Sequence, residues 1–481
     1  MDKMLTEYNI LRISDDKDLV SDVELLKSYI KKHDSLVSGR FKILGDAYAC
    51  RPSILDYTKN PKKTAEHKPD HRVSANFPRY IVDTYCGFSR GIPVSVSVAA
   101  DNNGTEDRGE LAEFVRELIE ANDLDDVNTE LHRLKCIFGE SYQLAYVDEM
   151  GEVETVAVSP IDSFPVYDNS IKPRLRYFVR TYTDEDNKTH GTISDETYVY
   201  YFDMSDGEIV FTDSRPHGFG SVPVVIYTMN SDRIGLIEVV LSLADKYDKT
   251  LSEKMNDVDS FADAILSIRG ATLSRDQVAD LRDRRIINIG GPDGANSAVE
   301  FLARPSGDAT QENFLERVER LIFTVSMVCN VADDNFATSS GIALKMKMQP
   351  MANLATGDWR RDQASMKMFW RLVCANPVTS LQPDDWKLLK FQNDLNYPDN
   401  STDAADLATK LDGVISHRTQ LEILPASIVS DVDEELKRIE EETETETEKT
   451  ETETETETED EQTETETGEK PAEVEEEQSE E

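Results

Sequence analysis

Hydrophobic positions along the chain repeat in two rhythms, and the switches between them mark its organisation. Ser21–His33 (SDVELLKSYIKKH) carries apolar residues at helical spacing behind a Ser N-cap, with Glu24 three residues on as in a capping box. Pro52–Asp70 is polar and reads as a loop. Arg72–Tyr85 turns helical toward its end, and Ile92–Val98 (IPVSVSV) alternates as a strand. Two amphipathic helices follow a DNNGTEDRGE turn, over Glu110–Asn122 and Asp125–Phe138. The next stretch has the two-residue period. Ser141–Val147, Glu152–Val158, Arg174–Tyr182, Glu196–Phe202, Glu208–Thr212 and Pro223–Tyr227 are predicted strands, separated by DEMG, DEDNKTHG and MSDG turns. These strands and the helices before them form one α+β unit.

Near Ile234 the rhythm changes for good. Val240, Leu243, Tyr247, Leu251, Met255, Val258, Phe261 and Ile265 follow a three-to-four spacing, with Asp245, Lys246, Asp248, Lys249, Asp257 and Asp263 on the opposite face. A short insert follows, with predicted strands Arg284–Ile289 and Val299–Ala303 around GGPDGANS. A second long helix spans Gln311–Val331, with Phe314, Val318, Leu321, Val325 and Val328 in one stripe. The polar segment Asn330–Gly341 leads into a third helix that bends or breaks near Pro350. A strand at Trp386–Phe391 and helices at Thr402–Leu411, Ser416–Leu424 and Ser430–Glu441 complete the pattern. Taken alone, the two long helices are an ordinary helical hairpin. Their stripes also suit contact with neighbouring subunits, because a long helix in water needs a partner.

Charge sharpens this picture. The 481 residues carry 95 acids and 52 bases, a net of −43, and the last 41 residues account for −19 of it. That segment runs ETETETEKTETETETETEDEQTETETGEK for most of its length, has little to bury, and is expected to be disordered. The other 440 residues, at −24, are an acidic globular body. Such a body does not suit tight non-specific duplex binding, which needs clustered Lys and Arg. No apolar window reaches the roughly 18 residues of a membrane span, and MDKMLTEYNI lacks the apolar core of a signal peptide. Five cysteines (Cys50, Cys86, Cys136, Cys329, Cys374) lie far apart without CxxC spacing. They read as reduced, buried thiols, not as a disulfide framework or zinc site.

Catalytic motifs are missing from the sequence. GGPDG lacks the Lys and Ser/Thr of a phosphate loop, and there is no HExxH, GxSxG or DxDxDG. DNNGTED has no glycine at the sixth position of a calcium loop. His67 and His71 flank a proline in a polar loop and read as surface residues. The acidic pairs Asp125–Asp126, Asp333–Asp334 and Asp384–Asp385 read as solvated. No cofactor, metal site or enzymatic activity is indicated.

Five segments in fixed order resemble the bacteriophage portal family of long-tailed phages of Gram-positive hosts. They are RVSANFPRYIVDTYCGFSRGIPVSVSV (72–98), FGESYQLAYVDEMGEVETVAVSPIDSFPVYD (138–168), HGFGSVP (217–223), SGIALK (340–345) and LDGVISHRTQLEI (411–423). The resemblance covers about residues 20 to 440; the Thr/Glu tail is not part of it, and Tyr-Gln-Leu after FGES departs from the usual small residue before Tyr.

That resemblance implies an α+β, portal-like ring subunit. Its parts would be an α+β wing (1–239), a stem helix (240–269), a small α/β clip (270–308), a second stem helix (309–331) and a tunnel loop (332–341). A wing return helix and strand (342–399), a helical crown (400–440) and the disordered tail (441–481) would follow. Asp333, Asp334, Asn335 and Phe336 would approach DNA, with Lys345 and Lys347 as a weakly attractive ring or, alternatively, as solvated wing residues. Tyr247, Leu251, Met255, Val258, Phe261, Val318, Leu321 and Val325 would pack the stem. Implied partners are a homo-oligomeric ring of about twelve subunits, the terminase large subunit, major capsid and scaffolding proteins, a head-completion adaptor, and double-stranded DNA passing without sequence specificity. No membrane is implied; the setting would be the portal vertex of the virion, with assembly in the host cytoplasm. The competing readings are an acidic cytoplasmic enzyme or nucleic-acid-processing factor, which predicts a buried polar cluster in a pocket, and a scaffold or adaptor using the acidic tail.

Overall fold

The computed structural model describes residues 10–58, 70–99, 109–205, 207–262, 265–269, 298–302, 308–332, 341–379, 381–397, 408–411, 413–424, 428–429, 432 and 435–439. Two compact units divide the chain, residues 1–396 and 397–481.

In the first unit, α1 (Val23–Leu36) begins at Asp22, not at Ser21. The Asp22 carboxylate accepts from the Leu25 N–H at 2.9 Å and so takes the capping role. Its apolar face (Leu26, Tyr29, Ile30) covers a six-stranded sheet and buries Phe164, Val166, Val179, Ile193 and Phe202. The sheet comprises β1 (Leu11–Arg12), β5 (Ser163–Tyr167), β6 (Leu175–Thr183), β7 (Thr189–Ser194), β8 (Tyr198–Ser205) and β9 (Glu208–Pro216), in that order. Only the β1–β5 pairing is parallel.

Two of these strands escape the alternation pattern. In β5 every residue is buried and Pro165 interrupts the run, yet β1 pairs only with Val166 and Tyr167, so no ladder bond is demanded of Pro165 from that side. In β7, Gly191 leaves room for the Phe202 ring of the paired residue; a Cβ there would stand 2.1 Å from that ring.

A second sheet orders β10 (Val224–Thr228), β3 (Glu140–Val147) and β4 (Val153–Val158), all antiparallel. The two sheets meet where Tyr142 packs edge-on to Phe178 at 5.3 Å. Helices α3 (Phe77–Arg90), α4 (Gly109–Ala121), α5 (Leu124–Phe138) and α8 (Gly341–Ala375) surround this sheet, with the short α2 (Lys42–Tyr48) against α3 and α5. The ribbon of β2 (Ser95–Val98) and β13 (Leu389–Gln392) joins them around Leu131, Val225, Trp370 and Phe391. The turn from α5 into β3 passes through Gly139 at φ +87°, where a Cβ would lie 2.0 Å from the Arg233 carbonyl oxygen. Glycine is therefore obligatory in the FGES motif.

The long helices differ from their predicted spans. Helix α6 is Leu241–Ala262, and the apolar run then becomes β11 (Ile265–Arg269), paired antiparallel with β12 (Ala298–Leu302). A stem helix to residue 269 is thus too long by a strand. Val299 does lie in a strand, whereas Arg284–Ile289 falls outside the described residues. Helix α7 (Asp308–Ser326) ends earlier than Val331 because Met327 adopts φ +60°. Helix α8 continues unbroken through Pro350.

In the second unit, α9 (His417–Ile423) is capped by the Ser416 hydroxyl, which accepts from the Thr419 N–H. The predicted helix at Thr402–Leu411 lies mostly outside the described residues, as does the acidic tail. Among the described residues no helix is long and apolar enough to cross a membrane.

Candidate assembly surface and its buried anchor

The α6–α7 hairpin is fixed along one side by an extended segment before α3. Three polar groups of α6, at successive turns, accept from that segment's backbone. Asp248 Oδ1 receives Ala75 N–H at 2.9 Å, Ser252 Oγ receives Val73 N–H at 3.1 Å, and Asn256 Oδ1 receives His71 N–H at 2.6 Å. Asp248 is therefore buried, not part of a solvated face as its spacing predicts. Burial raises its carboxyl pKa, while bonds from Ser74 and the Ala75 N–H pull the other way. Phe77 inserts at the crossing, edge-on to Tyr247 at 4.9 Å and to Phe323 at 5.8 Å. Tyr80 Oη accepts the Val331 N–H at 2.9 Å and holds the chain beyond α7.

Across the hairpin, Lys254 pairs with Glu312 and Gln311 donates to Asp257. Leu315, Val318 and Ile322 are buried on the inner face of α7. The stripe predicted to pack the stem divides accordingly. Val318 is buried, and Tyr247 and Leu251 are half-buried, whereas Met255, Val258, Phe314, Leu321 and Val325 are between 41 % and 59 % exposed. Phe314, Leu321 and Val325 recur at intervals of seven and four, so they line one face beside the buried one. Periodicity alone could not say which of two neighbouring stripes the hairpin fills. The Phe261 side chain and Asp333, Asp334, Asn335 and Phe336 lie outside the described residues. Lys345 and Lys347 are exposed in the first turns of α8, and the Lys347 carbonyl accepts from the Cys329 thiol at 3.3 Å.

Sequence reading missed a buried ion network where α3, α5 and α8 meet. Lys135 Nζ sits 2.5 Å from Asp358 Oδ1 and also pairs with Asp362; Arg90 reaches Asp362 Oδ2 at 2.5 Å and Asn393 Oδ1 at 2.8 Å. All four charged groups are almost wholly buried. Burial alone would raise the Asp362 carboxyl and lower the Lys135 ammonium. Neighbouring opposite charges reverse both shifts: Lys135, with Arg90 adding, acts on Asp362, and Asp358, with Asp362 adding, acts on Lys135. Two cations and two carboxylates thus saturate one another. This is a polar cluster of the kind an enzyme reading predicts, but it is occupied by its own ion pairs and clamps three helices. Its sequence signal was faint: Asp358 and Asp362 one turn apart on an otherwise apolar face, with residues as distant as Arg90 as partners.

A curated portal protein from Bacillus phage SPP1 is 24 % identical over 405 residues, covering 78 % of this chain and 76 % of that protein. A solved structure described as the neck of an empty GTA particle computed with C6 symmetry aligns with a TM-score of 0.41 and 12 % identity, covering 72 % of this chain and 90 % of that one. The family described as "Phage portal protein, SPP1 Gp6-like", whose members are structural and not enzymatic, matches residues 13–449, and the chain belongs to that family.

Proposed function

We propose that this chain assembles into a closed ring at one vertex of a phage capsid, through which double-stranded DNA enters and leaves. The observation that carries this reading is the apolar stripe of Phe314, Leu321 and Val325 on α7, with Met255 and Val258 on α6, left exposed on a hairpin whose inner face is already filled. In a ring each subunit presents one such stripe and covers another, so every copy is satisfied by closure. Among the described residues the β11–β12 ribbon pairs with no third strand, and edges of this kind can be extended by neighbours.

On this reading residues 1–239 form the wing, α6 and α7 the stem, 270–308 the clip, 332–341 the tunnel loop, 342–399 the return and 400–440 the crown. The terminase would supply the ATPase for packaging, the clip would face the motor and later a head-completion adaptor, and capsid and scaffolding proteins would surround the wing. A body of net charge −24 suits a conduit, since each Lys–phosphate contact would retard sliding DNA. Asp333, Asp334, Asn335 and Phe336, with Lys345 and Lys347 nearby, would form the constriction.

Electron microscopy or mass photometry of the purified full chain tests the ring. Closed rings of about a dozen copies with a central hole support it; a monomer in moderate salt sinks it. For the constriction, Asp333→Lys should impair packaging while rings still assemble, and unimpaired packaging would displace the tunnel loop from 332–341.

A further inference from the structure

We propose that Cys86, His132 and Cys136 form a binding site for a thiolate-preferring divalent cation of the zinc type. The three residues are far apart by motif standards, since Cys86 lies 46 positions before His132. Packing of α3 against α5 brings them together. His132 and Cys136 are one turn apart on α5 and face Cys86 on α3, and the two sulfurs and an imidazole nitrogen all lie within 4.8 Å of one another. His132 Nε2 stands 3.9 Å from Cys136 Sγ. In a tetrahedral zinc site, bonds of about 2.3 Å to sulfur and about 2.0–2.1 Å to nitrogen place donor atoms roughly 3.5–3.8 Å apart. A contraction of about 1 Å or less therefore completes the triangle.

The orientation of His132 is the independent sign. Its Nδ1 is buried without a hydrogen-bond partner, 3.5 Å from Asp358 Oδ2 and 3.7 Å from Asp362 Oδ2. At the other ring nitrogen, Ser89 Oγ lies 2.7 Å from Nε2 and also 2.7 Å from the Tyr85 carbonyl oxygen, so its one proton can serve only one of the two. With that proton on the Tyr85 carbonyl, Nε2 donates to Ser89, and in the neutral ring the Nδ1 lone pair faces two carboxylates, an arrangement relieved by adding a positive charge to the ring. A second ring proton, which the neighbouring groups favour, supplies that charge, and so does a metal cation on Nε2. Nδ1 then carries the proton and donates it to the aspartates, the carboxylate–histidine–metal relay by which such ligands are held in place. Ser89 Oγ, or a water entering beside half-buried Cys86, is close enough for the fourth position.

Charge balance also fits. The Arg90, Lys135, Asp358 and Asp362 cluster is neutral overall, so it neither repels nor holds a further cation. Two thiolates neutralise a dication, and binding releases both thiol protons to solvent. Without the metal, burial pushes the Cys136 thiol well above its ordinary range, which keeps an isolated thiolate from forming there.

The test uses the full-length chain, stripped with chelator and kept in a non-thiol reductant so that no disulfide forms. It is titrated with Co²⁺ alone and then with Zn²⁺ alone. We expect one metal per chain, a thiolate-to-cobalt absorption band with intense tetrahedral d–d bands, and displacement by zinc. Cys86→Ser, conservative and half-buried, should lose the charge-transfer band at equimolar cobalt; the triple variant Cys50→Ser, Cys329→Ser, Cys374→Ser should keep it. Absence of the band in the wild-type protein overturns the proposal without reference to any variant. So does cobalt binding by Cys86→Ser equal to wild type, or loss of the band in the triple variant.

Discussion

The three-helix junction around Lys135 and the α6–α7 hairpin dispose of awkward surface in opposite ways. At the junction, charges drawn from α3, α5 and α8 are taken out of water and matched within the subunit, and apolar residues close over them. The hairpin does the reverse: its polar groups bind a neighbouring backbone segment, while a row of apolar side chains stays in water. A self-matched region makes the subunit stable alone. An unmatched one makes it incomplete alone, and that incompleteness is what an assembling subunit requires. The contrast also predicts where substitutions act, on the folded chain at the junction and on association at the hairpin.

The largest effect on the folded chain belongs to the junction. Lys135→Ala removes one of two cations and leaves a buried carboxylate uncompensated, which costs about 3–5 kcal/mol. Urea denaturation should show this as a lowered midpoint; a loss below about 1 kcal/mol would mean that water enters the cluster and the helices are not clamped by it. An intermediate effect is expected where hairpin and body join. Asp248→Ala deprives the Ala75 N–H of its acceptor and should cost about 1–3 kcal/mol. Asp248→Asn keeps a carbonyl oxygen in place and removes a charge that burial disfavours, so it should lie close to wild type. Equal losses for Ala and Asn would show that charge, not the acceptor, matters there.

Effects on the chain become small on the exposed stripe, and there the comparison is most easily broken. Leu321→Asp or Val325→Asp should lower subunit stability by only about 1 kcal/mol, because both side chains are already partly in water and the cost is mainly that of Asp within a helix. Ring formation, followed by mass photometry, should collapse nonetheless. Rings that persist in both variants would place the subunit contact elsewhere; a subunit that unfolds would show that the stripe is packed within the chain.

How much of this was legible in the sequence follows the range of the interactions concerned. Helices α3, α4 and α5 and most strands of the second sheet are set by periodicity within a few residues, and their predicted positions agree with the structure. Strand β5 was hidden because Pro165 and its fully buried neighbours suppress alternation. The end of α6 was hidden for the opposite reason. Phe261 and Ile265 continue the helical spacing, but the backbone has already turned toward β11. The apolar stripe of α7 was seen, yet its division into filled and open faces depends on what Phe77 and the hairpin partner occupy. The ion network and the Cys86–His132–Cys136 cluster join helices distant in sequence, so no local pattern marks them.

The smallest effect comes from a surface counterpart of the junction. His190 on β7 lies between Asp184 at 2.8 Å and Asp203 at 2.6 Å, with the Tyr182 ring stacked on it, so a histidine again faces two carboxylates. Here water replaces the lysine and arginine that the buried pair of aspartates needs. Hydrogen bonds to Asp184 and then Asp203 raise the His190 pKa above its ordinary 6.5. Because the folded value is the higher one, the stabilisation is fully present below about pH 6.5 and disappears as pH rises through the folded value. An NMR titration of the His190 ring should therefore show a midpoint above 6.5 that moves down in Asp184→Asn and further in the double variant with Asp203→Asn. The pH slope of unfolding should flatten in step with that movement. A wild-type midpoint at or below 6.5 would mean that solvent screens both aspartates from the ring. The contrast with the junction would then be sharper still, because matching of charge would count only where water is excluded.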